Sequence, residues 1–193
     1  MLQVMTMGMI GAVLWGCQSA PSTPPPFYQD DILTLTNSDL VRVDRFDGSG
    51  FDDPGWSSLS TNPGAGQRPV LLKLPDSDDI RSGWWLLGRS HNPEIVAHCT
   101  HPERAGQTLT GTPTMIDGHP FTRFEISDAG MSHYRQVRAW RGVTGGSCLS
   151  IEHIVQGVRG DVFDPPRTPA FTIDAAMARL EDVNDALAFD NTP

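Results

Sequence analysis

Residues 113–155, "PTMIDGHPFTRFEISDAGMSHYRQVRAWRGVTGGSCLSIEHIV", constrain the fold more than any other stretch of this 193-residue chain. Four pieces of strand length (113–116, 121–126, 133–140 and 148–155) follow one another at regular spacing. Between them stand Asp117-Gly118, then Asp128-Ala129-Gly130, then a glycine-rich stretch from Gly142 to Gly146. Asp-Gly and Gly-rich separators between alternating runs favour tight hairpins, because their residues reach positive φ cheaply. Consecutive hairpins predict an antiparallel meander.

Upstream, Val70, Leu72 and Leu74 alternate on one face of a strand, and residues 83–88 ("GWWLLG") and 95–99 ("IVAHC") are apolar runs of strand length. Residues 33–46 predict a first hairpin turning at Asn37-Ser38-Asp39, and residues 47–67 form a long Gly/Pro/Ser loop. The period changes after Thr172. Ile173, Ala176, Met177, Leu180, Val183, Asn184 and Leu187 recur at helical spacing through residue 189, with Thr172 suited to cap the start. Glu181, Asp182 and Asp185 fall on the outer face. The expected fold class is α+β: an antiparallel β-sheet meander covered by a C-terminal helix.

The order "IDGHPFTRFEI", "YRQVRAW", "CLSIEHIV" and a last helix ending "LEDVNDALAF" resembles the PsbP/Mog1-like group of small α/β sandwiches over residues 70–189. That resemblance implies binding or assembly by analogy, since the group has no common enzyme chemistry.

The N-terminus carries a separate message. Residues 1–16 hold no acid or base and are too short to cross a bilayer, which takes about 20 apolar residues. They fit the apolar region of an export signal, although no Lys or Arg stands before Cys17. Leu14-Trp15-Gly16-Cys17 resembles the bacterial lipobox, with Trp15 bulkier than the pattern usually has. The resemblance implies cleavage before Cys17, acylation of that cysteine and, with Gln18 rather than Asp behind it, sorting to the outer membrane facing the periplasm. Each buried methylene contributes about 0.8 kcal/mol, so two or three chains anchor durably. Residues 17–30 then make a lipidated cysteine and a Pro-rich tether ("SAPSTPPP"), and residues 31–193 a single domain.

The net charge of −9 argues against nucleic acid and against docking on anionic lipid by charge. The expected partners are therefore the membrane, through the lipid, and an envelope protein. With Cys17 lipidated, Cys99 and Cys148 remain as a disulfide pair or as two buried thiols. A bridge would close about 50 residues and contribute about 3–4 kcal/mol.

Chemistry has few places to reside. Residues 90–104 hold His91, His98, Cys99, His101 and Glu103, and His98 and His101 are the candidate metal ligands. Adjacent strand residues point to opposite faces, however, which sets His98 against Cys99. A metal-binding or hydrolytic periplasmic enzyme built on this region is the alternative to a non-catalytic protein without cofactor. Cys148 beside His153 or His133 supplies the types for thiol catalysis, without a surrounding signature. Asp44, Asp47, Asp52 and Asp53 offer oxygen ligands for calcium at a spacing unlike an EF-hand. Trp56, in a loop where no core demands it, is the candidate contact for a partner, the alternative being that it folds back onto the domain.

Overall fold

A computed structural model of the chain describes residues 25–36, 38–47 and 51–190. In chain order the elements are β1 (Tyr28–Gln29), β2 (Leu33–Leu35), β3 (Val41–Arg42), β4 (Gln67–Lys73), β5 (Arg81–Ser90), α1 (Pro93–Ala97), β6 (Glu103–Arg104), β7 (Gln107–Thr108), β8 (Thr112–Ile116), β9 (His119–Gly130), β10 (His133–Thr144), β11 (Ser147–Val158), α2 (Ile173–Glu181) and β12 (Leu187–Phe189).

Three two-residue turns, Asp117-Gly118, Met131-Ser132 and Gly145-Gly146, join β8 to β11, and both residues of each turn have positive φ. The middle turn lies one step beyond the expected Asp128-Ala129-Gly130. There β9 and β10 stay paired from Thr122↔Arg141 to Gly130↔His133, so the register of a long hairpin outweighs the local preference for glycine. Likewise β10 runs through Gly142 to Thr144 before turning.

These four strands form one half of a seven-stranded sheet ordered β3-β4-β5-β11-β10-β9-β8, in which every neighbouring pair is antiparallel. The other half, β3-β4-β5, joins at the free edge of β11. The centre of the sheet is therefore the β5–β11 pair, which runs from Ser90↔Cys148 to Arg81↔Gly157.

One face packs Val70, Leu72, Leu74, Trp85, Leu87, Ile151 and Val155 under α2 and a small sheet of β1, β2 and β12. Thr172 caps α2 by accepting from the Ala175 N–H at 3.1 Å, and Ala176, Met177 and Leu180 are buried against the sheet. The fold is α+β, weighted heavily toward β.

Several expectations are corrected here. The predicted helix stops at Glu181, and Leu187–Phe189 is a strand that buries Leu187 and Phe189 and exposes Ala188, a period of two rather than 3.6. The predicted first hairpin does not form. β2 buries Leu33 and Leu35 and pairs with β1 and β12, whereas β3 is exposed on both residues and pairs with β4. The two pieces share no face, so they belong to different sheets; Asn37 lies outside the described residues. Tyr28–Gln29, counted with the tether by composition, is paired with β2.

Candidate functional site

β11 is buried from Ser147 to Gly157, so its two side-chain rows meet different layers. Leu149, Ile151, His153 and Val155 face α2. Cys148, Ser150, Glu152, Ile154 and Gln156 face the opposite way, toward the loop of residues 51–66. That second row places unusual polarity in the middle of a sheet.

Glu152 has no exposure at all. Its carboxylate accepts from Ser57 Oγ at 2.6 Å, from Ser150 Oγ at 2.9 Å, and from the Ser58 N–H at 2.9 and 3.0 Å. Buried carboxylates are tolerated only when so bonded. The effect is to staple the loop to the sheet. At the far end of the row, Arg135 donates to Gln156 Oε1 at 2.8 Å and to the Asp52 carbonyl at 2.9 Å, with its guanidinium over Phe46 and Phe51.

Trp56 is corrected by this arrangement: it is 1% exposed, not a surface anchor. The loop lies flat because glycines clear its path. A Cβ at Gly88 would stand 1.7 Å from the Trp56 carbonyl oxygen, and one at Gly66 2.5 Å from the indole. Trp56 Nε1 donates to the Asn62 carbonyl at 3.3 Å.

Beside Trp56 the loop and α1 enclose a cleft of about 250 Å³, lined by Leu59, Asn62, Ile95 and Glu103 among others, with Arg141 in its floor. Arg141 comes from β10, is 3% exposed and places its guanidinium 4.8 Å from the Trp56 ring centroid. Nη2 donates to Cys148 Sγ at 3.2 Å, and Nε is buried without a partner among the described residues. Burial draws its pKa down to about 10, against the opposing pull of the Glu152 charge, and leaves it a cation at neutral pH.

The other cleft wall, α1, replaces the strand expected at residues 95–99. Asn92 caps it by accepting from the Glu94 N–H at 2.9 Å, and Pro93 occupies the first turn. Cys99, just past its end, is joined to Cys148 with Cα atoms 5.5 Å apart, both cysteines being buried. The bridge ties the wall of the cleft to the strand beside its floor. A second depression, of about 390 Å³ beside Trp140, carries the exposed acids Asp117, Glu181 and Asp185 together with Arg123.

The remaining sequence candidates are dispersed. His91 pairs with Ser147 Oγ, His98 with the Glu94 carbonyl and His101 with Thr100 Oγ1. No three metal-ligating side chains converge among the described residues, and the Cys99 sulfur is held in the bridge. Cys148 and His153 lie on opposite faces of β11, and His133 is at the far end of the β10–β11 pair. Asp53 pairs with Arg68 and Asp47 with Lys73. Among the described residues no helix is long and apolar enough to cross a membrane; Cys17 and its lipobox lie outside them.

Glu152 and Arg141 were not singled out from sequence. Their signal was parity: Glu152 is in phase with Cys148 and Ile154, and Arg141 with Val137 and Ala139, all buried.

On the other face His153 is fully buried, its ring 4.4 Å from that of Trp140. Asn184 Oδ1 accepts from Trp85 Nε1 at 2.9 Å and lies 3.2 Å from His153 Nε2. The same oxygen facing both puts the proton of the neutral imidazole on Nε2 and leaves Nδ1 buried without a partner among the described residues. Desolvation lowers the His153 pKa to about 3. The unfolded chain therefore takes up a proton near pH 6.5 that the folded one refuses, and stability falls as pH drops from about 6.5 toward 3, by up to roughly 1.4 kcal/mol per unit. Urea unfolding at pH 7 and pH 5 measures this slope, which is expected to shrink in His153→Leu; an unchanged slope in the variant would assign the effect elsewhere.

The chain matches no protein-family model, and comparison with curated proteins and with solved structures finds no significant match.

Proposed function

We propose that this chain is a lipid-anchored protein of the bacterial cell envelope, held at the periplasmic face of the outer membrane, that works by binding or assembly rather than catalysis. The observation that carries the reading is the buried Cys99–Cys148 bridge. Disulfides persist in oxidising compartments such as the periplasm. The chain has three cysteines, so pairing two leaves Cys17, the one behind the apolar run, for acylation. The bridge also removes both thiols from nucleophilic or metal chemistry.

Mass spectrometry of the mature N-terminus tests this. The expected species begins at Cys17 and carries a diacylglyceryl group, and Cys17→Ser is expected to accumulate as unprocessed precursor. A mature chain with an unmodified Cys17, or one cut elsewhere, would overturn the proposal.

A further inference from the structure

Arg141 is a buried cation without an ion pair among the described residues. The acid whose charge acts on it, Glu152, is engaged by Ser57, Ser58 and Ser150. Among the described residues Arg141 Nη2 donates to a disulfide sulfur, a weak acceptor, and Nε has no partner. A guanidinium is a planar fork of five donors matched to carboxylate geometry, and donors left bare in a dry site are costly. The Trp56 face beneath it and the Cys148 sulfur at its edge hold the fork in one orientation.

We propose that the cleft binds a small carboxylate whose far end is neutral or cationic, seating the carboxylate on the Arg141 fork. Trp56, Leu59 and Ile95 offer apolar contact for a short body, and Asn62 a polar one. Glu94 and Glu103, both exposed, line the same cleft and oppose a second negative charge. At about 250 Å³ the space is below the roughly 300–1,000 Å³ of drug-sized sites. This binding is independent of how the chain is anchored.

Three four-carbon probes differing in far-end charge test it: 4-aminobutyrate, butyrate and succinate. Each is titrated into the full chain in detergent while the ¹⁵N-resolved Nε–H resonance of Arg141 is followed. The expected result is a saturable shift with 4-aminobutyrate at a dissociation constant of about 1 mM or tighter, weaker binding of butyrate and weakest of succinate. Arg141→Lys keeps the charge but loses the fork, and is expected to weaken binding about tenfold by calorimetry. Glu94→Gln, at an exposed position, is expected to narrow the preference for 4-aminobutyrate over succinate. If Arg141→Lys fails to fold, the wild-type titration decides alone. An unmoved Arg141 resonance at about 20 mM of every probe, far above the expected constant, would overturn the proposal. So would succinate binding as tightly as 4-aminobutyrate.

Discussion

Replacing Glu152 with Ala is expected to destabilise the protein by about 3–5 kcal/mol, from a buried donor left unpaired and a cavity left in the core. The carboxylate accepts from two hydroxyls and one backbone N–H. The hydroxyls of Ser57 and Ser150 lie 3.0 Å apart and can turn to each other. The Ser58 N–H has no such escape, and a buried unpaired donor costs about 1–3 kcal/mol before the cavity is counted. The loss is local as well as global. Residues 51–66 should exchange amide hydrogens faster and be cut sooner by protease, while α2 on the other face keeps its protection until global unfolding. Glu152→Gln keeps one accepting oxygen and should cost less than the alanine variant. Equal losses would mean that the full carboxylate, not the volume it fills, holds the loop down, and a Gln variant as stable as the native protein would mean the reverse.

Reduction of Cys99–Cys148 is the second large effect. The cysteines are 49 residues apart, for which the chain-entropy model gives about 4 kcal/mol. At roughly 2–4 °C per kcal/mol for a chain of this size, the melting temperature should fall by about 8–16 °C. Scanning calorimetry with and without reductant measures it, and thiol counting under denaturing, non-reducing conditions should find neither Cys99 nor Cys148 free. An unchanged melting temperature in fully reduced protein would show that the sheet and α1 pack as well without the bridge. Because the bridge fixes the α1 wall, the reduced protein should also lose protection first at α1, and only later along β10.

The sheet was legible because its signals are local. Val70, Leu72 and Leu74 share one face while Leu71 packs on the other, as strict alternation requires. Thr172 reads as a cap and is one. The misreadings came where two local signals competed. "IVAHC" is apolar and β-branched at its start, yet Asn92-Pro93-Glu94 ahead of it is a cap, a first-turn proline and a first-turn acid, and these won. At the C-terminus the helical spacing that reaches Leu187 is accidental, since Asn184 turns its side chain to Trp85 and His153 and the chain leaves the helix there.

The cleft was not legible, for a different reason. Its lining comes from Arg141 stacked on Trp56 and from Ile95, and only tertiary pairing brings three such distant segments together. Composition placed Trp56 in a loop, but burial depended on Gly66 and Gly88 clearing the approach, which depends on strands the loop has yet to meet.

The position of β11 has a consequence for the order of assembly. The sheet is two meanders, and each forms from neighbours in sequence. The seam between them pairs residues 81–90 with 148–157, nearly 60 positions later at its tighter end. Until Ser147–Val158 has been made and docked, β5 presents Trp84, Trp85, Leu86 and Leu87 along a bare edge. Bare apolar edges template pairing with other chains, and long-range strand pairing is slow to close. The vulnerable species for this protein is thus the half-sheet ending before β10–β11. A chain cut short there loses the strand that satisfies both halves at once, and it is the newly made or truncated protein, not the finished one, that would depend on a chaperone.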